Sequence, residues 1–153
     1  MVKLKVGDDA PDFSCPDKDG KLVSLKDFKD QKPIVLYFYP KDESPICSKE
    51  ACEFRDKYQK FIEAGADVIG VSRDSAESHA KFTSKYSLPF TLLTDKGGEL
   101  SKLYGAEGNF LSPSRVTLII DKNGKIALNH NAFLSASSHI EESLKVIEKL
   151  KSS

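Results

Sequence analysis

Between Pro33 and Pro40 lies IVLYFY, an unbroken run of aliphatic and aromatic residues with no charge in it. A strand with one wet face alternates apolar and polar residues. This run does not, so it is expected to be a strand covered on both faces. Pro33 suits its first position, where a missing N–H breaks no ladder bond. The run is far shorter than the roughly 20 apolar residues of a membrane span. A strand covered twice needs a sheet with layers on both sides, and the rest of the chain has the elements for them.

Upstream, Phe13 to Leu25 has the pattern of a β-hairpin turning at Lys18-Asp19-Gly20. Downstream, a helix begins near Ser44-Pro45. Phe54, Tyr58, Phe61 and Ile62 repeat in it at helical spacing, and Gly65 is a suitable stop. DVIGVS, from Asp67, is the next strand. Ser75 to Tyr86 is a helix opened by Asp74 or Ser75. Phe90–Thr94 is a short strand and Gly98–Tyr104 a short helix. Val116–Ile120 and Lys125–Leu128 flank Asp121-Lys122-Asn123-Gly124, a strong hairpin turn. Ile140, Leu144, Ile147 and Leu150 form an apolar stripe on a last helix. This order predicts an α/β fold: a central mixed sheet between helices on both faces, with an N-terminal β-hairpin.

The 153 residues predict a single domain spanning 1–153. A chain of this size buries roughly 68–70% of its unfolded surface, enough to fold without a metal or a disulfide. Twenty-three Lys and Arg balance 23 Asp and Glu. The balance argues against the basic footprint of a nucleic-acid binder and against a polyacidic tail. The N-terminal MVKLKVGDDAPDF lacks the apolar stretch of a secretory signal. An intracellular, soluble protein is expected.

Three cysteines, Cys15, Cys47 and Cys52, are too few for a disulfide-built scaffold. There is no Cys-x-x-Cys, and no His stands at ligand spacing. Neither a thioredoxin-type dithiol nor a zinc or iron–sulfur centre is expected, and no cofactor. Cys15 is expected to be a small buried hydrophobe. His79, His130 and His139 are scattered and expected to be ordinary structural or surface residues.

The chemistry concentrates in YFYPKDESPICSKEAC, Tyr37 to Cys52. A buried strand ends at Pro40, a polar loop follows, and Ser44-Pro45 has the residue types of an N-cap and first helical position. Cys47 therefore falls in the first helical turn, where free N–H groups and the positive end of the dipole favour a thiolate. The site lies past the carboxyl end of a central strand, where α/β sheets carry their ligands. Cys52 is five residues further on. On an intact helix that is a rise of about 7.5 Å and a rotation of about 140°. A disulfide needs Cα atoms roughly 4.4–6.8 Å apart, so the pair can bond only if the first turns unwind.

PKDESPICSKEAC resembles the peroxidatic motif of peroxiredoxins, Pro-x-x-x-Thr/Ser-x-x-Cys, and its second cysteine is similar to that of the peroxiredoxin Q, or bacterioferritin comigratory protein, group. APDFSCPDKDGKLVSLKDF, ESHAKFTSKYSLPFTLLTDKGG, SRVTLIIDKNGKI and HIEESLKVIEKL resemble other blocks of that family, nearer to plant and algal forms. The resemblance implies a thioredoxin-like fold and reduction of H2O2 or organic hydroperoxides by a monomer. It implies that Cys47 attacks the peroxide and that Cys52 closes an intramolecular disulfide, which thioredoxin or a related dithiol protein reduces. It implies that Pro40 shields the site, that Ser44 hydrogen-bonds thiolate and peroxide, that Arg115 is the stabilising cation, and that Glu50 orients Arg115. A plastid location follows if a transit peptide has been removed, and a cytoplasmic one otherwise.

The residues themselves support these roles. Charge develops on the leaving oxygen, so fixed donors there give the largest gain. A guanidinium offers a rigid, permanently charged fork. Arg115 opens a buried-looking strand and needs a partner. Glu50, three residues after Cys47, shares its helix face. Two positions depart from the family pattern. Ser44 stands where Thr is usual and keeps the hydroxyl. Ile46 stands where this group commonly has Gly, and it favours the wound helix.

Two other enzyme classes fail on single residues. A tyrosine phosphatase needs Arg six residues after its cysteine, where Glu53 stands, and a glutathione peroxidase relative would bring a Trp, which this chain lacks. A thiol redox sensor or holdase-like binding module could use the same switch.

Overall fold

A computed structural model describes residues 4–106, 115–131 and 136–151. Strands β1 (Ser14–Pro16) and β2 (Leu22–Ser24) form the N-terminal hairpin. A single 3-10 turn, Leu25–Asp27, then leads to β3 (Ile34–Phe38), α1 (Pro45–Glu63), β4 (Asp67–Ser72), α2 (Ala76–Tyr86), β5 (Thr91–Thr94), α3 (Glu99–Leu103), β6 (Val116–Ile120), β7 (Ile126–Asn131) and α4 (Ala136–Lys151). The main sheet has the order β5-β4-β3-β6-β7. β3, β4 and β5 run parallel, and β6 and β7 join antiparallel.

β3 occupies the middle of this sheet and every residue of it is buried. Its alternation shows why the sequence run is continuously apolar. Ile34, Leu36 and Phe38 face one core cluster with the hairpin residues Cys15 and Val23 and with Leu100 of α3. Val35, Tyr37 and, just beyond the strand, Tyr39 face the other, with Phe54 and Phe61 of α1, Phe82 of α2, and Ile140 and Ile147 of α4. Thus α1, α2 and α4 cover one face, and the hairpin with α3 covers the opposite one. Gly70 of β4 pairs with Tyr37. A Cβ at Gly70 would sit 2.8 Å from the Tyr37 ring, so only glycine leaves room for that ring to lie across the neighbouring strand.

The local signals match the elements closely. Gly65 ends α1 with φ of +84°, a left-handed value that favours glycine. Ser75 caps α2 by accepting from the Ser78 N–H at 3.1 Å. Asp121 Oδ1 accepts the N–H groups of Asn123 and Lys125 and closes the β6–β7 turn. Most boundaries agree within a residue, and the largest difference is at β7, which continues three residues beyond Leu128. Asn129, His130 and Asn131 look like loop residues by composition, yet they pair with Leu118, Thr117 and Val116. The ladder to a central strand outweighs their weak β-propensity.

Candidate active site

α1 starts directly behind the carboxyl end of β3. Ser44 is its N-cap residue, with extended φ and ψ of −69° and 151°, and Pro45 is its first helical residue. The Ser44 hydroxyl does not cap the helix. It donates to the Lys41 carbonyl at 3.0 Å and ties the loop to itself. The first helical bond of α1 runs from the Ser48 N–H to the Ser44 carbonyl at 2.8 Å. Cys47 therefore lies within the turn whose N–H groups precede that bond, at the positive end of the helix. Its side chain is 1% exposed. Pro40 lies half-buried at the end of β3.

Arg115 comes from the other side, immediately before β6, and is buried. Its guanidinium reaches two groups at once. Nη2 donates to Cys47 Sγ at 3.1 Å and Nη1 to Glu50 Oε1 at 2.7 Å. Burial pulls the Arg115 pKa down, but the Glu50 carboxylate and the Cys47 sulfur pull it up further, and it stands above its ordinary value. Glu50 has no exposed surface. Burial pushes its carboxyl up to about 7 against the opposing attraction of Arg115, with Glu53 adding to the rise. The fold thus brings Cys47, Glu50 and Arg115 into one buried chain of hydrogen bonds, although 65 residues separate Glu50 from Arg115. A fixed cation against a sulfur at a helix start stabilises negative charge there and on an oxygen approaching it.

Cys52 stays half-buried about 1.4 turns beyond Cys47 on α1, and all three cysteines are free thiols. Cys15 lies elsewhere, in β1. Its thiol donates to the Thr94 carbonyl at 3.6 Å, and burial, followed by the charge of Asp95, pushes its pKa up to about 12. Such a thiol is inert at neutral pH. Among the described residues no group of three or more His, Cys, Asp or Glu side chains could hold a metal ion, and no helix is long and apolar enough to cross a membrane.

Two histidines expected to be ordinary have specific buried partners. His79, fully buried on α2, has Nδ1 2.7 Å from Asp42 Oδ2 and Nε2 2.9 Å from the Leu93 carbonyl. Asp42 also accepts from the Tyr39 hydroxyl at 2.5 Å and from Ser78 Oγ at 2.8 Å. This network anchors the loop that delivers Ser44. His139, on α4, lies beside Glu50. The available sequence signal was spacing. His79 falls three residues before Phe82, and His139 directly precedes Ile140, so both adjoin the apolar faces of their helices.

Residues 6–129 match the model of the AhpC/TSA family. The chain is 47% identical over 153 residues to peroxiredoxin Q, chloroplastic, of Sedum lineare, covering 99% of this chain and 82% of that one. It is 49% identical over 150 residues to peroxiredoxin Q, chloroplastic, of Arabidopsis thaliana, covering 97% and 69%. The fold is similar to peroxidoxin BcpB of Mycobacterium tuberculosis, with a TM-score of 0.89, 32% identity and coverage of 95% and 97%. It is also similar to a cysteine-to-serine mutant of PrxQ from Xylella fastidiosa, with a TM-score of 0.86, 30% identity and coverage of 99% and 98%. A buried thiol at a helix start, a cation bonded to it, and these relatives agree: the chain belongs to the AhpC/TSA family, among its peroxiredoxin Q members, and is a thiol peroxidase with a thioredoxin-like fold.

Proposed function

We propose that Cys47 is the sulfur that attacks the peroxide and that Cys52 resolves the product. The supporting observation is the 3.1 Å hydrogen bond from Arg115 to Cys47 Sγ in a site closed to bulk water. In this reading the Cys47 thiolate attacks one oxygen of ROOH, the S–O bond forms, and the O–O bond breaks. The leaving RO⁻ takes a proton and departs as ROH, and Cys47 becomes a sulfenic acid. The Cys52 thiol then displaces water from that sulfur and forms the disulfide. Arg115 offsets the charge as it moves from sulfur to leaving oxygen, and Glu50 keeps the guanidinium in register. Pro40 screens the sulfur. Ser44, whose hydroxyl donates to the Lys41 carbonyl, would turn that hydroxyl to the thiolate and the arriving peroxide.

H2O2 and organic hydroperoxides are the substrates, and thioredoxin or a related dithiol protein is the reductant. The enzyme works as a monomer, which light scattering of the reduced and oxidised protein tests. The chloroplastic relatives favour a plastid, and localising a tagged chain in its own cells tests that compartment.

The decisive experiment is mass spectrometry after one equivalent of H2O2, coupled to NADPH consumption through thioredoxin. The expected result is a Cys47–Cys52 disulfide and sustained turnover. Cys47→Ser should be inactive, and Cys52→Ser should react once and stop as a sulfenic acid. Cys15→Ser should turn over normally. Peroxide reactivity retained in Cys47→Ser would overturn the assignment. Oxidation that occurs once, with no turnover on adding reductant, would favour the redox-sensor reading.

A further inference from the structure

Glu50 is held by only one of its two oxygens. Oε1 accepts from Arg115, while Oε2 is buried with no hydrogen-bond partner among the described residues. A buried carboxylate oxygen without a donor is unfavourable, and more so when charged. The group facing it from α4 is His139, which has no exposed surface and whose Nδ1 lies 3.7 Å from Oε2. At that distance the contact is electrostatic rather than a hydrogen bond. The same Nδ1 is 2.7 Å from Thr117 Oγ1. Thr117 is two residues after Arg115, and the two side chains reach neighbouring groups, Arg115 to Glu50 and Thr117 to His139. One short segment, Arg115 and the start of β6, thus presents both the cation that Glu50 binds and the hydroxyl that seats the histidine.

We propose that His139 is a positioning residue of the peroxide site: its Nδ1–H, seated on Thr117 Oγ1, braces the free oxygen of Glu50, so that the bound oxygen holds Arg115 in line with Cys47. This role assigns the proton to Nδ1, with the Thr117 hydroxyl accepting. The inference rests on Cys47 being the attacking sulfur. The surroundings are fully buried. Glu50 faces Arg115 before β6, Cys47 and Glu53 on its own helix, Tyr37 on β3 and His139 on α4. His139 faces Thr117 on β6 and the ring of His130 on β7, edge-on at 4.8 Å. His130 is itself tied to Ser138 at 2.9 Å, and Ser137 donates to Glu53 at 3.0 Å. The first turn of α4 is thereby pinned to α1 and to β7, and the ring has little freedom to leave. Without the brace, the Glu50 carboxyl loses the Nδ1–H dipole beside Oε2, keeps its proton to higher pH and anchors Arg115 less firmly.

The test follows the Glu50 carboxyl directly, by NMR titration of the reduced protein, together with single-turnover oxidation by H2O2. His139→Phe keeps the ring volume and removes the donor. It should raise the midpoint of the Glu50 titration by about one pH unit and slow oxidation near pH 7 by roughly tenfold. His139→Asn, which restores an N–H near the Nδ1 position, should recover most of both. In a Glu50→Gln background His139→Phe should change the rate no further. An unmoved Glu50 titration overturns the proposal whatever the protein does to peroxide. So does an equal slowing in the Glu50→Gln background, which would make the histidine a packing residue, and so does a shifted titration with an unchanged rate. If His139→Phe does not fold, Thr117→Ala unseats the ring and carries the same comparisons. Failure of wild-type Cys47 to react with peroxide would instead overturn the assignment of the nucleophile and leave the titration intact.

Discussion

In the mechanism proposed above, Arg115 is the residue on which the chemistry turns, because one guanidinium spans two acceptors, the Glu50 carboxylate and the Cys47 sulfur. Its fork gives Nη1 to Glu50 and Nη2 to Cys47. A lysine ammonium of similar reach is a point charge and cannot reproduce both bonds in fixed geometry. Replacing Arg115 by Met removes a charged donor from the transition state. By analogy with the loss of an oxyanion-hole donor, the expected penalty is about 2.7–4 kcal/mol, or roughly 10²–10³ in the rate of peroxide attack. Stopped-flow oxidation by H2O2 measures it, and circular dichroism checks that the variant is folded. A single-turnover rate equal to that of the wild type would place Arg115 outside the reaction. Cys15 supplies the contrast at this scale. It is a thiol of the same chemical type, but it is set in apolar surroundings with a raised pKa and a backbone carbonyl as partner.

α1 is the element that must change. It is helical from Pro45 to Glu63 and holds Cys47 and Cys52 in positions from which they cannot bond. The proposed Cys47–Cys52 disulfide therefore requires its first turns to unwind. Phe54 is the barrier to further unwinding, since its ring has no exposed surface and stacks on Tyr37 with centroids 4.6 Å apart. In the proposed cycle, unwinding up to Phe54 would also carry Glu50 away from Arg115 and dismantle the site until the disulfide is reduced. Amide exchange from Ser48 to Glu53 should be markedly faster in the oxidised than in the reduced protein. Equal protection in both states, with the Cys47–Cys52 bond confirmed, would refute the unwinding. Ile46→Gly lowers helix propensity in the first turn and should speed disulfide formation.

The loop before α1 opposes this motion. Asp42 receives Tyr39, Ser78 and His79, and its own N–H donates to Asp74 Oδ2 at 2.8 Å. His79→Leu would strand a buried carboxyl with only its two hydroxyl donors. The loss should be about 3 kcal/mol of unfolding free energy, read from the urea midpoint, together with faster disulfide closure. A midpoint within experimental error of the wild type would show that the network does not hold the loop.

At the scale of the whole molecule, the sheet order brings distant segments to one place. β3 pairs with both β4 and β6, so the end of β3 that launches α1 lies beside the start of β6 that carries Arg115. The register sets Phe38 against Val116. α4 closes the same face over α1. This architecture buries an acid, and global stability must reflect it. Glu50 has a folded pKa of about 7, raised above its ordinary value chiefly by burial. A raised pKa means that the folded state holds its proton where the unfolded chain releases it. The contribution is present in full below about pH 4.5 and is lost as pH rises through about 7, for a total of roughly 3 kcal/mol. Unfolding free energy measured by urea between pH 4.5 and 8 should therefore carry a downward slope from this group, and Glu50→Gln should flatten that part of the curve. An identical slope in the variant would mean that Glu50 does not titrate in this range.

Much of this molecule was legible in the residues themselves, for local reasons. The run from Ile34 to Tyr39 reads as a strand covered twice, and Asp121 to Gly124 as a hairpin turn, and both are so in the fold. Ser44-Pro45 opened a helix at the expected place, because strand alternation, turn chemistry and capping depend on near neighbours. The same local logic set Cys47 at a helix start and made the distance to Cys52 an argument. Other features were out of its reach. The Ser44 hydroxyl binding Lys41, the extra length of β7, the buried pair of His79 and Asp42, and the placement of His139 against Glu50 all depend on what another segment contributes. A histidine reads the same in sequence whether it faces water or a buried carboxylate. Only the sheet order and the packing of α2 and α4 decide which, because the energy of a buried polar group lies in its partner, and the partner here is tens of residues away.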